Sequence, residues 1–170
     1  MNGNGDRVPV DVVGVRVELP SNSPIVLLRE RTGSRYLPIW IGAPEAQAIV
    51  SALDGVEPPR PQTHDLLKLI IDSLGATVEG VEVVDLRDNV FYADLVMKVG
   101  ERTVRVSSRP SDAIALAVRT QAPVFVSPQV LLDAGIEFSE ESEEEEIERF
   151  REFLEDVTVE DFLEGNDPEK

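Results

Sequence analysis

Hydrophobic and polar positions alternate with a period of two over several stretches, the pattern of strands that bury one face. Val13, Val15, Val17 and Leu19 alternate with Gly14, Arg16 and Glu18. After a turn cluster at 20–24, a second strand is predicted over 25–30 and a third over 36–41. Arg31-Thr-Gly-Ser34 between them supplies hairpin chemistry, with Gly33 free to take positive φ. Pro38 cannot donate to a ladder, which puts the third strand at an edge or beside a bulge. Strands are also predicted over 78–86 and 90–99, around a turn at Arg87, Asp88 and Asn89. On the second of these Phe91, Ala93, Leu95 and Met97 share one face, and Tyr92, Asp94, Val96 and Lys98 the other. A short buried strand is expected at 123–126.

Elsewhere the period lengthens to that of a helix. Gly42-Ala-Pro-Glu45 opens one whose buried side is Ala46, Ile49, Val50 and Leu53. Three prolines within 55–61 make an extended linker. Thr63 is the expected N-cap of the next helix, with Leu67, Ile70, Ile71 and Leu74 as its apolar stripe and Gly75 as its end. A strand at 103–107 then runs directly into a helix opened by Pro110, whose missing N–H costs nothing in a first turn, with Ile114, Ala117 and Val118 on its buried face. Ser127-Pro128 caps a last small helix through Leu132. Hairpin-joined strands with interposed helices predict an α+β fold: mostly antiparallel sheet or sheets, three to four helices packed on them, and an acidic, partly helical tail. The expected organisation is a disordered N-terminus at 1–9, one domain at 10–136 and the tail at 137–170. Ile147, Phe150, Phe153, Leu154 and Val157 give that tail an amphipathic spacing suited to docking or to a partner.

Composition narrows the classes. The 170 residues include no cysteine, which removes disulfides, thiolate catalysis and cysteine-bound zinc. No apolar run approaches the roughly 20 residues of a membrane span. The N-terminus lacks a signal peptide's basic and apolar regions, so a cytoplasmic, soluble protein is expected. The net charge of −17 is uneven: residues 137–170 carry 16 Asp and Glu against three Lys and Arg, leaving −4 for the first 136. That balance argues against a high-affinity nucleic-acid binder and less against an enzyme that meets its substrate briefly.

Phosphate-binding loops, dinucleotide fingerprints, HExxH and GxSxG are all missing. His64 is the single histidine, so a metal here would be a hard ion on carboxylates. Histidine serves proton transfer at neutral pH; the plainer reading of His64 is a surface residue in the first turn of its helix. Lys68, four residues on, can face the same side. Three helix starts each carry one carboxylate: Glu45, Asp65 and Asp112. If they converge, they form one cleft with His64 and Arg109, where Asp65 and Asp112 would hold Mg²⁺ or Mn²⁺ and Arg109 would clamp a phosphodiester. If they do not, each acid merely stabilises its own helix. Arg109, Ser111 and Asp112 in any case stand beside the first-turn N–H groups of a helix, where an anion is favoured. Of the aromatics able to stack on bases, Tyr36, Trp40 and Tyr92, the apolar setting of Trp40 makes it core and Tyr92 the better surface candidate.

Four segments then carry a resemblance: Tyr36-Leu-Pro-Ile-Trp-Ile-Gly-Ala-Pro-Glu-Ala46, Arg60-Pro-Gln-Thr-His-Asp-Leu66, Val90-Phe-Tyr-Ala-Asp-Leu95 and Ser108-Arg-Pro-Ser-Asp-Ala-Ile-Ala-Leu-Ala117. In this order, across about 10–136, the chain resembles the bifunctional nuclease family. The resemblance implies an α+β domain that cleaves DNA and RNA. It marks Glu45, His64, Asp65, Tyr92, Arg109, Ser111 and Asp112 as the motif positions. The expected function is a nuclease of little sequence preference, with His64, Asp65, Asp112 and Glu45 as catalytic groups and Arg109, Ser111, Tyr92 and Lys68 binding substrate. A homodimer and a protein partner for the tail are expected alongside it, without membrane association. The competing readings are a non-enzymatic interaction or regulatory module whose acidic tail recruits a basic partner, and a tail that imitates nucleic acid and shields the domain.

Overall fold

The computed structural model describes residues 6–137 and Glu148. Two three-stranded antiparallel meanders make up most of it. The first is β1 (Val8–Glu18), β2 (Ser23–Glu30) and β3 (Arg35–Trp40). After helices α1 (Ala43–Leu53) and α2 (Thr63–Ser73) comes the second: β4 (Ala76–Arg87), β5 (Val90–Val99) and β6 (Arg102–Ser108). Helix α3 (Pro110–Thr120) leads to β7 (Val124–Val126), helix α4 (Pro128–Ala134) and the two-residue β8 (Ile136–Glu137).

All eight strands form one sheet in the order β6-β5-β4-β7-β1-β2-β3-β8. Strand β7 joins the meanders, antiparallel to β1 and parallel to β4, which makes the sheet mixed. A Cβ at Gly80 would lie 3.2 Å from the Pro123 carbonyl, so glycine lets the two backbones approach there. Turn chemistry sets the hairpins: Asp88 and Asn89 both take the left-handed conformation between β4 and β5. Gly33 does not; the Glu30 carboxylate lies over it, and Asn22 holds positive φ in the preceding turn. Pro38 sits in β3 opposite Leu27, in a strand whose outer neighbour is only β8.

One core unites these elements. Val26, Leu28, Leu37, Val81, Val83 and Ala93 from the sheet meet Ile49 of α1, Ile114 of α3 and Leu131 of α4. Helix α3 is the central piece, with seven consecutive or near-consecutive buried positions from Pro110 to Ala117. It packs on α1, α2, β4 and β5. Small residues allow this: Ala113, Ala115 and Ala117 bring the helix backbone close to its neighbours.

Several expectations need correction. Strand β1 begins at Val8, so residues 8 and 9 belong to the sheet and not to a disordered start. The N-cap of α2 is Gln62, with Thr63 already helical, because the Asp65 carboxylate accepts the Gln62 amide at 3.0 Å. Of the expected buried stripe of α2 only Ile71 packs on the core; Leu67, Ile70 and Leu74 are exposed, as are Leu66 and Leu69. His64 is the one buried residue of that helix. In α1, Ala46 and Ile49 are buried while Val50 and Leu53 are exposed. Trp40 is 55% exposed rather than core, since β3 alternation turns Leu37 and Ile39 inward and Trp40 the other way. The amphipathic segment expected at 147–157 lies outside the described residues, apart from Glu148.

Ile114 is fully buried where α3 meets the sheet. Ile114→Ala is expected to lower the unfolding free energy by about 2–5 kcal/mol, read from urea denaturation. A loss well below 1 kcal/mol would show that α3 is not the centre of the core.

Candidate functional site

The N-terminal end of α3 gathers side chains from three helices. Arg109 is the residue before α3, held extended by the proline that follows it. Its guanidinium donates through Nε to Asp112 Oδ2 at 2.8 Å and through Nη2 to Glu45 Oε1 at 2.9 Å. The other oxygen of Asp112, Oδ1, lies 2.9 Å from His64 Nε2. Glu45, Arg109, Asp112 and His64 therefore form one continuous bonded chain across the starts of α1, α3 and α2. Glu45 folds back over Gly42, so a side chain there would have to displace that carboxylate.

Burial and charge differ along this chain. His64 is only 7% exposed, a correction to its reading as a surface residue. Burial alone would push the Asp112 carboxyl up, but hydrogen bonds from Arg109 and His64 outweigh it and hold Asp112 below the ordinary carboxylate range. Arg109 is correspondingly pushed up, first by Asp112 and then by Glu45. The bonded state is thus an ionised carboxylate shared between a guanidinium and an imidazole. An ionised Asp112 can only accept, so Nε2 is the donor of this contact.

Asp65 joins a different partner. Arg119, from the last turn of α3, donates through Nε to Asp65 Oδ1 at 2.8 Å and through Nη1 to the Ala48 and Ala115 carbonyls, each at 3.0 Å. The Arg119 side chain is largely buried, so this guanidinium ties α1, α2 and α3 together. Nothing local in the sequence points from Arg119 to Asp65, 54 positions away. Asp65 is held below the ordinary carboxylate range by Arg119 and then by the Gln62 amide.

The remaining candidates spread outward. Ser111 is buried at the N-terminus of α3, beside Arg109. Lys68 pairs with Asp72 at 2.9 Å along the exposed side of α2 and makes no contact with the chain above. Tyr92 lies on the opposite face of β5 from Phe91, Ala93 and Leu95, under Arg87 at 4.6 Å. Strand alternation places it on the face of β5 away from α3, outside the bonded chain. Glu82 escaped notice altogether: it is buried on β4 between Arg7 and Arg105, and the latter also bonds Asp94 at 3.1 Å.

The donor set does not suit a divalent ion. Asp112 spends both oxygens on Arg109 and His64, and Asp65 spends both on Arg119 and Gln62. Among the described residues no group of three or more His, Asp or Glu stands ready to ligate a metal. No helix among them is long and apolar enough to cross a membrane.

Asp65→Asn is expected to lower stability by about 1.5–3 kcal/mol at pH 7, the range for a hydrogen bond to a charged partner. The depressed folded-state pKa means this contribution is complete above the unfolded value near 3.8 and is lost as pH falls through the folded one. Urea midpoints of wild type and variant should therefore converge in acid. A gap that is constant with pH would mean the carboxylate charge contributes nothing.

Comparison with known proteins adds a family. The model of the bifunctional nuclease domain matches residues 26–139. An uncharacterized protein of Mycobacterium tuberculosis is 49% identical over 161 residues, covering 90% of this chain and 96% of that one. Bifunctional nuclease 2 of Arabidopsis thaliana is 32% identical over 124 residues, 69% of this chain and 38% of its own length. Bifunctional nuclease 1 of Oryza sativa subsp. indica is 27% identical over 128 residues, 74% of this chain and again 38% of its own length.

Proposed function

The chain belongs to the bifunctional nuclease domain family, and on that premise we propose that it hydrolyses phosphodiester bonds of DNA and RNA at the start of α3. The observation that supports this best is the bonded chain His64–Asp112–Arg109, which couples a proton acceptor to a phosphate ligand through one carboxylate. Asp112 orients the imidazole and stabilises the imidazolium when it forms. Nδ1 of His64 takes the proton of the attacking water. Arg109 keeps Nη1 free of the two bonds that fix it, and sets that donor against the non-bridging phosphate oxygens as charge builds on them. Glu45 holds Arg109 in place. Mg²⁺ or Mn²⁺ has no ready ligand set in Asp65 and Asp112, and no step here passes through an ion.

Removing a general base costs about 10²–10⁴ in rate. Fluorescent single-stranded RNA and DNA incubated with His64→Asn or Asp112→Asn should be cut more slowly by that factor, with Arg119→Ala lowering stability instead. Assays with EDTA and with added Mg²⁺ or Mn²⁺ should give the same rate. Equal cleavage by wild type and both variants would overturn the mechanism and favour the non-enzymatic reading, in which the −13 tail recruits a basic partner.

The homodimer belongs to the same proposal, with a second copy of this chain covering the outer side of α2. Leu66, Leu67, Leu69, Ile70 and Leu74 are exposed there, and Lys68 and Asp72 lie round the helix from them, paired with each other. For a chain at −17, such a charge-free face is where two copies meet with least repulsion. Leu66→Lys with Ile70→Lys should convert dimer to monomer in sedimentation velocity while leaving the melting temperature of the monomer intact. A monomeric wild type at about 100 µM, well above the micromolar range of ordinary association, would discard the dimer.

A further inference from the structure

A cavity of about 340 Å³ opens beside the bonded chain, where α1 and α3 both begin. Gly42 and Arg109, the residues before the two helices, line it, and neither supplies a side-chain cap. The first-turn N–H groups of each helix have no intrahelical partner, and both helix dipoles present their positive ends here. Ser111 is the independent sign of a ligand. It is only 6% exposed, lies in the cavity wall, and its hydroxyl has no hydrogen-bond partner among the described residues. The residue is buried but its hydroxyl oxygen is not sealed in, since among the described residues no buried side-chain polar atom lacks a partner; the oxygen is open in the cavity wall, where it can bond what enters.

The opposite wall has another character. Phe91 and Val90 present apolar surface, and Asn89 stands at the rim in the left-handed conformation. An anion-binding end and a flat apolar end within one cavity fit a single nucleotide. The volume lies at the small end of ligand pockets, about 300–1,000 Å³, which leaves room for one such unit and not two.

We propose that this cavity is a nucleotide subsite: the phosphate bonds the Ser111 hydroxyl, the first-turn amides of α3 and the free Nη1 of Arg109, and the base lies against Phe91 with Asn89 at its polar edge. The proposal rests on the nuclease reading and specifies its substrate as a strand with an unpaired nucleotide. A base stacked within a duplex cannot enter; one from a single strand enters without the cost of unpairing. Asn89 and Ser111 are then specificity-determining residues that touch substrate without moving a proton.

The test is calorimetric titration of the full-length protein in EDTA with adenosine monophosphate, adenosine and inorganic phosphate. The monophosphate should bind at least about tenfold tighter than either half, because each half loses one of the two contacts. Ser111→Ala should weaken it by about 3- to 10-fold, the value of one hydrogen bond, and leave the melting temperature unchanged or raised because the hydroxyl has no partner to lose. Asn89→Ala, at an exposed turn, should weaken adenosine binding and not phosphate binding. Monophosphate binding no tighter than phosphate alone, or unaffected by Ser111→Ala, overturns the subsite even if the protein cleaves RNA. Binding as described in a protein that cleaves nothing supports the subsite and removes the hydrolytic reading.

Discussion

Strand β7 is three residues long, yet the two meanders share hydrogen bonds through it. Val124 and Val126 are buried beneath the helices, and the backbone between them pairs with β1 on one side and β4 on the other. Its parallel pairing with β4 requires a crossover, and α3 is that crossover. The constraint then propagates. A helix returning the chain from the edge strand β6 to the middle of the sheet must cross β5 and β4, and its own start must lie over them. Burial of the alanine-rich face fixes α3 there, and with it the position of Arg109, Ser111 and Asp112. The ionic contacts at its two ends are secondary to that placement, but they decide where α1 and α2 come to rest.

The other face of the sheet follows a different logic. Arg7 covers Phe125 at 4.7 Å and bonds Glu82, which also receives Arg105. Burying Glu82 without partners would cost several kcal/mol, and two guanidinium groups offset that penalty. The cluster sits directly behind β7 and β4, so the seam is packed by hydrocarbon on one side and by paired charge on the other.

The strands and α3 were legible because their signals are local. Alternation in β5, the Asp88-Asn89 turn and Pro110 at a first turn each act within a few residues, and the structure places all three as expected. What sequence could not supply were contacts between distant positions. His64 lies beside Asp112 because α2 docks on α3 across 48 positions, and no spacing rule reports that. The misreading of α2 has a plain cause: leucine at helical spacing normally marks the buried side, and here the buried side is taken by an imidazole instead. Trp40 was misjudged for the same reason, since its strand is apolar on both faces and periodicity does not say which face is covered.

The way α2 is attached sets its behaviour. Its contacts reach α3 and β4, with Ile71 packed on the core, its leucines exposed, and its polar attachments, the His64 and Asp65 bonds, at one end. A helix with few buried side chains and a greasy outside is the kind of segment that opens locally before a sheet does. The imidazole travels with it. Imidazole and guanidinium can thus part company while every strand stays paired, so the arrangement proposed to react can come apart in a chain that keeps its sheet.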